Sequence, residues 1–343
     1  MSQHPTAPDP LTIRPRDRSP VGRPLHRLAL GASCALPSAA GGTTTVAVPH
    51  ARCSGREEAR VLPVPRSGAQ RASGHRSLRL SVTLLIAATV AVGGLVTHPT
   101  DVAAAGKKVV IVVGPAGSST ANYIYNAKKL AAQARSYGAT VYEIYSPHAT
   151  WARVKKYGQG ANIFIYLGHG NGYPSPYGAF SKYTKDGMGL NAYDGSSKHR
   201  YYGEYYVDYG LNFAPNAVVI LNRLCYASGN SEWGSGYPTK ATAIKRVDNY
   251  GYGFLRANAK AVFAEGINGT GYILYSLFKT NRTIRQTFWA DPARDGRWDF
   301  TFNTIRTSGK QAIVDPLGGA NRYYRSVIGN LDLTAAQWRG AGG

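Results

Sequence analysis

From Gly106 onward, apolar residues fall in short runs separated by polar and glycine-rich stretches. Residues 109–113 form a β-branched run stopped by Gly114-Pro115, which predicts a strand. Ser119 or Thr120 then opens a helix to about Tyr137, with apolar positions at Ile124, Ala127, Leu130, Ala131 and Ala134 and Gly138 as its terminator. Residues 140–145 predict a second strand, 150–157 a short helix closed by Gly158, and 163–167 a third strand. Residues 171–200, dominated by Gly, Pro, Ser, Tyr and Asp, have no apolar period and read as a long loop, of the kind that usually covers or binds something. Beyond it, 201–213 holds a short helix, 217–224 a fourth strand, 238–258 a helix, 261–264 a fifth strand, and 269–279 and 283–289 two helices. After Asp291 the pattern weakens, leaving 312–314 and 323–328 as edge strands. Strands alternating with helices of these lengths predict an α/β fold, a three-layer α/β/α sandwich around a mostly parallel sheet.

The first 105 residues follow different rules. Residues 1–75 hold ten Arg, no Lys, no Tyr and ten of the nineteen Pro. With no sustained period they bury no core, and the composition fits either a disordered tail or translated upstream DNA ahead of the true start. Arg76-Ser77-Leu78-Arg79, the apolar stretch 80–96 and Ala103-Ala104-Ala105-Gly106 follow the order of a secretory signal peptide cleaved after Ala105. The alternative is an uncleaved anchor, a transmembrane helix over 80–96; its 17 residues barely span a hydrocarbon core of about 30 Å. Both readings put the rest of the chain outside, secreted or at the cell surface. The layout is then a domain over 106–290 and a C-terminal extension, 291–343, packed on it.

Charge narrows the partners. From Gly106 the chain carries 28 Lys and Arg against 13 Asp and Glu, a net +15, which suits an anionic cell-wall polymer. The basic residues are scattered along the chain, which argues against nucleic acid. One Cys and three His (His148, His169, His199) give no metal-ligand spacing, and the 114–120 loop lacks the Lys of a phosphate loop, so neither metal nor cofactor is expected. Cys34 and Cys53 lie in the N-terminal region, leaving Cys225 as the one cysteine of the exported part and a candidate reactive thiol.

The chemistry concentrates at two strand ends. Tyr166-Leu167-Gly168-His169-Gly170 closes the third strand, and Leu224-Cys225-Tyr226-Ala227-Ser228-Gly229 the fourth. Ligands bind beyond the carboxyl ends of strands in open parallel sheets. A histidine and a cysteine 56 positions apart can therefore meet there, and a neighbouring imidazole is the usual means of making a thiolate near neutral pH. Gly170 lets the backbone approach a substrate and present its N–H to a carbonyl oxygen.

Strand-His-Gly followed by strand-Cys-x-x-Ser-Gly resembles the caspase-like cysteine peptidases, the group of legumains, gingipains, clostripain, metacaspases and separases, over about residues 107–279. The resemblance implies a caspase-haemoglobinase-like fold and hydrolysis of a protein or peptide substrate, with His169 and Cys225 catalytic and Gly170 and the Cys225 amide as the oxyanion hole. Arg223 and Leu224 depart from the residues many members carry before the cysteine, and the family's Cys-x-Ser-Gly is one residue longer here. The competing function is a non-catalytic cell-envelope binding module on a degenerate peptidase-like fold. For specificity, Glu265 at the end of the fifth strand is the leading acidic group, with Glu232, Asp186 and Asp194 behind it; an acidic pocket would select a basic side chain. Asp186 and Asp194, each followed by Gly, read first as turn residues.

Overall fold

The computed structural model describes residues 106–342. The expected upstream tail, signal peptide and 80–96 stretch lie outside the described residues. In chain order the elements are β1 (Lys108–Val113), α1 (Thr120–Ser136), β2 (Thr140–Tyr145), α2 (Trp151–Gly158), β3 (Ile163–Leu167), β4 (Met188–Asn191), β5 (His199–Tyr202), α3 (Glu204–Gly210) and β6 (Val218–Asn222). They continue with α4 (Lys240–Arg256), β7 (Ala261–Glu265), α5 (Gly271–Lys279), α6 (Ile284–Phe288), β8 (Phe300–Asn303), β9 (Gln311–Val314), β10 (Arg325–Gly329) and α7 (Ala335–Gly340).

Eight strands form one sheet in the order β2-β1-β3-β6-β7-β10-β9-β8. The first five run parallel, and the last three continue antiparallel. The central strands are apolar throughout because both sheet faces are covered. Val110, Val112, Phe164, Tyr166, Val219 and Leu221 face α2, α3 and α4, meeting Val154, Val207, Val247 and Phe254. Their alternate neighbours Val109, Ile111, Ile163, Ile165, Val218 and Ile220 face α1, α5 and α7, meeting Ala127, Leu130, Leu274, Leu277 and Trp338. The fold is thus α/β with a mostly parallel sheet between helices.

Threonines fix several helix starts. The side chains of Thr150 and Thr239 accept from the amides of Arg153 and Thr242, and Thr283/Gln286 and Thr334/Gln337 form complete capping boxes. At α1 the N-cap Ser119 makes no side-chain capping bond; Thr120 Oγ1 instead accepts from the Ala116 amide at 2.8 Å.

Four expectations need correction. Residues 312–314 and 323–328 are not edge strands: β10 lies between β7 and β9, and β9 between β10 and β8. The segment after 291 therefore completes the sheet instead of packing on a finished domain. The 171–200 region is not wholly a loop, since β4 and β5 form an antiparallel ribbon with Asn191 opposite His199. The expectation of a transmembrane helix is corrected as well: no helix among the described residues is long and apolar enough to cross a membrane.

Candidate functional site

The parallel register sets the site at the carboxyl edge of the sheet. Leu167 ends β3 opposite Asn222 of β6, which is itself opposite Glu265, the last residue of β7. His169 is two residues past the first of these and Cys225 three past the second, so adjacent strands deliver them to one edge. The two loops touch through their backbones. A Cβ placed on Gly170 would lie 2.1 Å from the Cys225 carbonyl oxygen and 2.9 Å from the Tyr250 hydroxyl, so glycine is required by space. Gly172 packs as closely on Tyr226, where a Cβ would lie 2.3 Å from the tyrosine Cβ.

The turn that carries Cys225 is strained. Arg223 and Tyr226 both occupy the left-handed region, with φ of 62° and 72°. Such conformations in residues with a Cβ cost of order 1–3 kcal/mol each and cluster at functional sites. Cys225 itself is 3 % exposed. It is disulfide-bonded, which corrects the expectation of an unpaired thiol. Tyr226 turns toward the Arg246 guanidinium, 4.7 Å above its ring.

His169 is held by the β4–β5 ribbon. Its carbonyl accepts from the Tyr166 hydroxyl at 3.1 Å and from the Gly189 amide at 3.3 Å. Its buried ring lies 4.8 Å from the His199 ring. Burial, with His199 adding repulsion, pushes the imidazole down to about 4. At neutral pH it is uncharged.

Cys225 and Leu224 line a small pocket with Tyr123, Arg223, Asn230, Ser231, Trp233, Gly266, Ile267 and Tyr324. It adjoins a larger pocket of about 350 Å³ that shares Asn230, Ser231, Trp233 and Tyr324 and adds Glu232. No carboxylate lines the first pocket among the described residues.

The four acidic candidates separate. Glu265 is fully buried: both its carboxylate oxygens accept from Arg325 Nε, and Oε1 also accepts from the Tyr272 hydroxyl at 2.6 Å. It is held inside the fold rather than standing open at the strand end; its partner comes from β10, 60 positions away. Asp194 is exposed and pairs with His148 at 3.0 Å and Arg153 at 3.6 Å. Glu232 lines the larger pocket and accepts from the Tyr177 hydroxyl at 2.6 Å.

Asp186 is fully buried in the left-handed conformation, with φ of 60°. Its Oδ1 accepts from the Tyr173 amide at 3.0 Å, whereas Oδ2 has no hydrogen-bond partner. Next to it, Lys185 Nζ donates to Asn171 Oδ1, Ser175 Oγ and the Tyr177 carbonyl, tying down the start of the loop. Burial pushes the Asp186 carboxyl up to about 8 from 3.8. The folded state therefore keeps a proton that the unfolded chain has lost, so this group's contribution is fully present below pH 3.8 and is lost as pH rises through about 8. Asp186→Asn should flatten that decline, gaining of order 1–3 kcal/mol relative to wild type at pH 8 and little at pH 5. Urea midpoints at the two pH values check it, and an equal shift at both would contradict the assignment.

Sequence reasoning missed the parts that His199 and Tyr166 play at this edge, and met Arg223 only as a departure from the family pattern. His199 reaches the site only through the ribbon register, and nothing in the polar 171–200 composition announces a ribbon. Tyr166 reads as one more apolar strand residue, yet its hydroxyl binds Gly189 and the His169 carbonyl. Comparison of the chain with protein-family models, with curated proteins and with solved structures finds no match.

Proposed function

We propose that this domain, once the Cys225 disulfide is reduced, is a caspase-like cysteine-type endopeptidase. The observation that carries the reading is the backbone contact of Gly170 with the Cys225 carbonyl, which joins the histidine loop to the cysteine loop. In the reaction, neutral His169 takes the thiol proton and the thiolate attacks the scissile carbonyl carbon. The Gly170 and Cys225 amides stabilise the oxyanion. The C–N bond then breaks as the imidazolium returns the proton to the leaving amine, and water hydrolyses the resulting thioester. Burial of His169 disfavours an isolated imidazolium, so the thiolate formed beside it is part of what makes the transfer feasible.

Of the acidic candidates, Glu232 is the one on a pocket wall and is the assigned selector of a basic substrate side chain. The substrate is a protein or peptide, and the setting is extracellular. A peptide-library screen on the reduced full chain tests the reading: cleavage is expected for wild type and absent for Cys225→Ser. Cleavage that survives Cys225→Ser would reject it.

The second reading, a cell-envelope binding module, has its own support in exposed rings of the 171–210 region, Tyr183 at 50 %, Tyr193 at 65 % and Tyr209 at 73 %, with Lys182 Nζ near Tyr183 and Tyr205. It predicts no cleavage of any peptide and retention on an anionic wall polymer that falls as salt is raised.

A further inference from the structure

A third pocket, of about 220 Å³, lies between α1 and the start of α5, with Arg223 on one wall. We propose that it binds a small oxyanion of the phosphate class. Three independent features point there. Thr270, 2 % exposed, lines the pocket, and its buried Oγ1 has no hydrogen-bond partner. Arg223 also lines it; its buried Nε is equally without a partner, and its guanidinium makes no ion pair among the described residues. The amides of Gly269, Thr270, Gly271 and Tyr272, at the start of the nine-residue α5, donate to no backbone carbonyl among the described residues.

A hydroxyl, a half-buried guanidinium and a run of open amides at a helix N-terminus together form an anion-binding arrangement. Lys129 adds a second cation at the rim, and no carboxylate lines the cavity. Two cations plus the positive helix end suit a dianion better than a single carboxylate, and donors on several walls suit the three or four acceptor oxygens of a phosphate group. The nearby Glu265 carboxylate does not compete for Arg223, because Arg325 and Tyr272 hold it. Since Arg223 also lines the Cys225 pocket, an anion bound here would fix the guanidinium two residues from Cys225.

The test is calorimetric titration of the full chain with inorganic phosphate at constant ionic strength, alongside Arg223→Gln, Thr270→Val and Lys129→Gln. Wild type should show one saturable site, weakened about tenfold or more in Arg223→Gln and Thr270→Val, and several-fold in Lys129→Gln. Lys129 is exposed on α1, so its variant keeps the test decisive if a variant at the pocket wall does not fold. A phosphoserine peptide run in parallel distinguishes a free ion from a phosphorylated chain by which binds more tightly. Absence of saturable binding, or one constant shared by wild type and all three variants, overturns the proposal. The readout is independent of peptidase activity.

Discussion

Arg325→Met is expected to lower the stability of the domain by about 3–5 kcal/mol, the range for removing one partner of a buried ion pair. Arg325 is fully buried in β10 and faces three carboxylates, Glu265 at 3.1 Å, Asp291 at 3.1 Å and Asp315 at 2.5 Å. It also donates to the Phe288 carbonyl at 2.7 Å and lies 4.4 Å from the Phe288 ring. Methionine fills similar volume but leaves the carboxylates in an apolar interior without their cation. The loss should depend on pH with a definite sign. Burial already pushes the Glu265 carboxyl up to about 8 against the pull of Arg325, and without the arginine it rises further. A carboxyl raised in the folded state contributes stability at low pH and loses it as pH rises, so the deficit should be smaller at pH 5 than at pH 8. Urea unfolding at both values measures it. A loss below about 1 kcal/mol, or one independent of pH, would show that the cluster is not the anchor of the C-terminal strands.

Gly170→Ala is expected to lower the reactivity of the reduced Cys225 about a hundredfold, the scale of a 1 Å displacement at a catalytic centre. The added methyl would meet the Cys225 carbonyl oxygen at 2.1 Å, and backbone cannot move aside as a flexible side chain can. The Tyr250 hydroxyl closes the other direction, since it donates to the Gly187 carbonyl at 2.8 Å. The loops after β3 and β6 must therefore separate, at a stability cost of about 1–3 kcal/mol for an overpacked interior. Peptide-cleavage kinetics with a parallel urea melt separate the two effects. A variant with wild-type activity would mean that the contact of the two loops is structural only.

Much of the sheet was legible because its strands are buried on both faces and so appear as unbroken apolar runs: β1, β3, β6 and β7 all read directly. Their adjacency also made His169 and Cys225 legible as a pair, since residues just past neighbouring parallel strands share an edge. The signal failed where burial is partial or polar. β4 is Met188-Gly189-Leu190-Asn191 and β5 His199-Arg200-Tyr201-Tyr202, four residues each with no run to recognise. β8 alternates half-buried Phe with exposed Thr and Asn at a true edge. The Arg325 cluster draws Glu265, Asp291 and Asp315 from segments far apart in sequence, so Glu265 read as an open carboxylate at a strand end. Thr270 and Arg223 became informative only when their missing hydrogen bonds could be seen.

The proposed reaction requires His169 to activate Cys225. After reduction, the rate at which a thiol-directed electrophile labels Cys225 at neutral pH, compared between the wild-type full chain and His169→Ala, tests it directly. Fast labelling of wild type is expected, with a loss of about tenfold or more in His169→Ala, because the unassisted thiol keeps little thiolate at that pH. Equal, slow labelling of both would contradict it and leave Cys225 as a buried cysteine of a binding module.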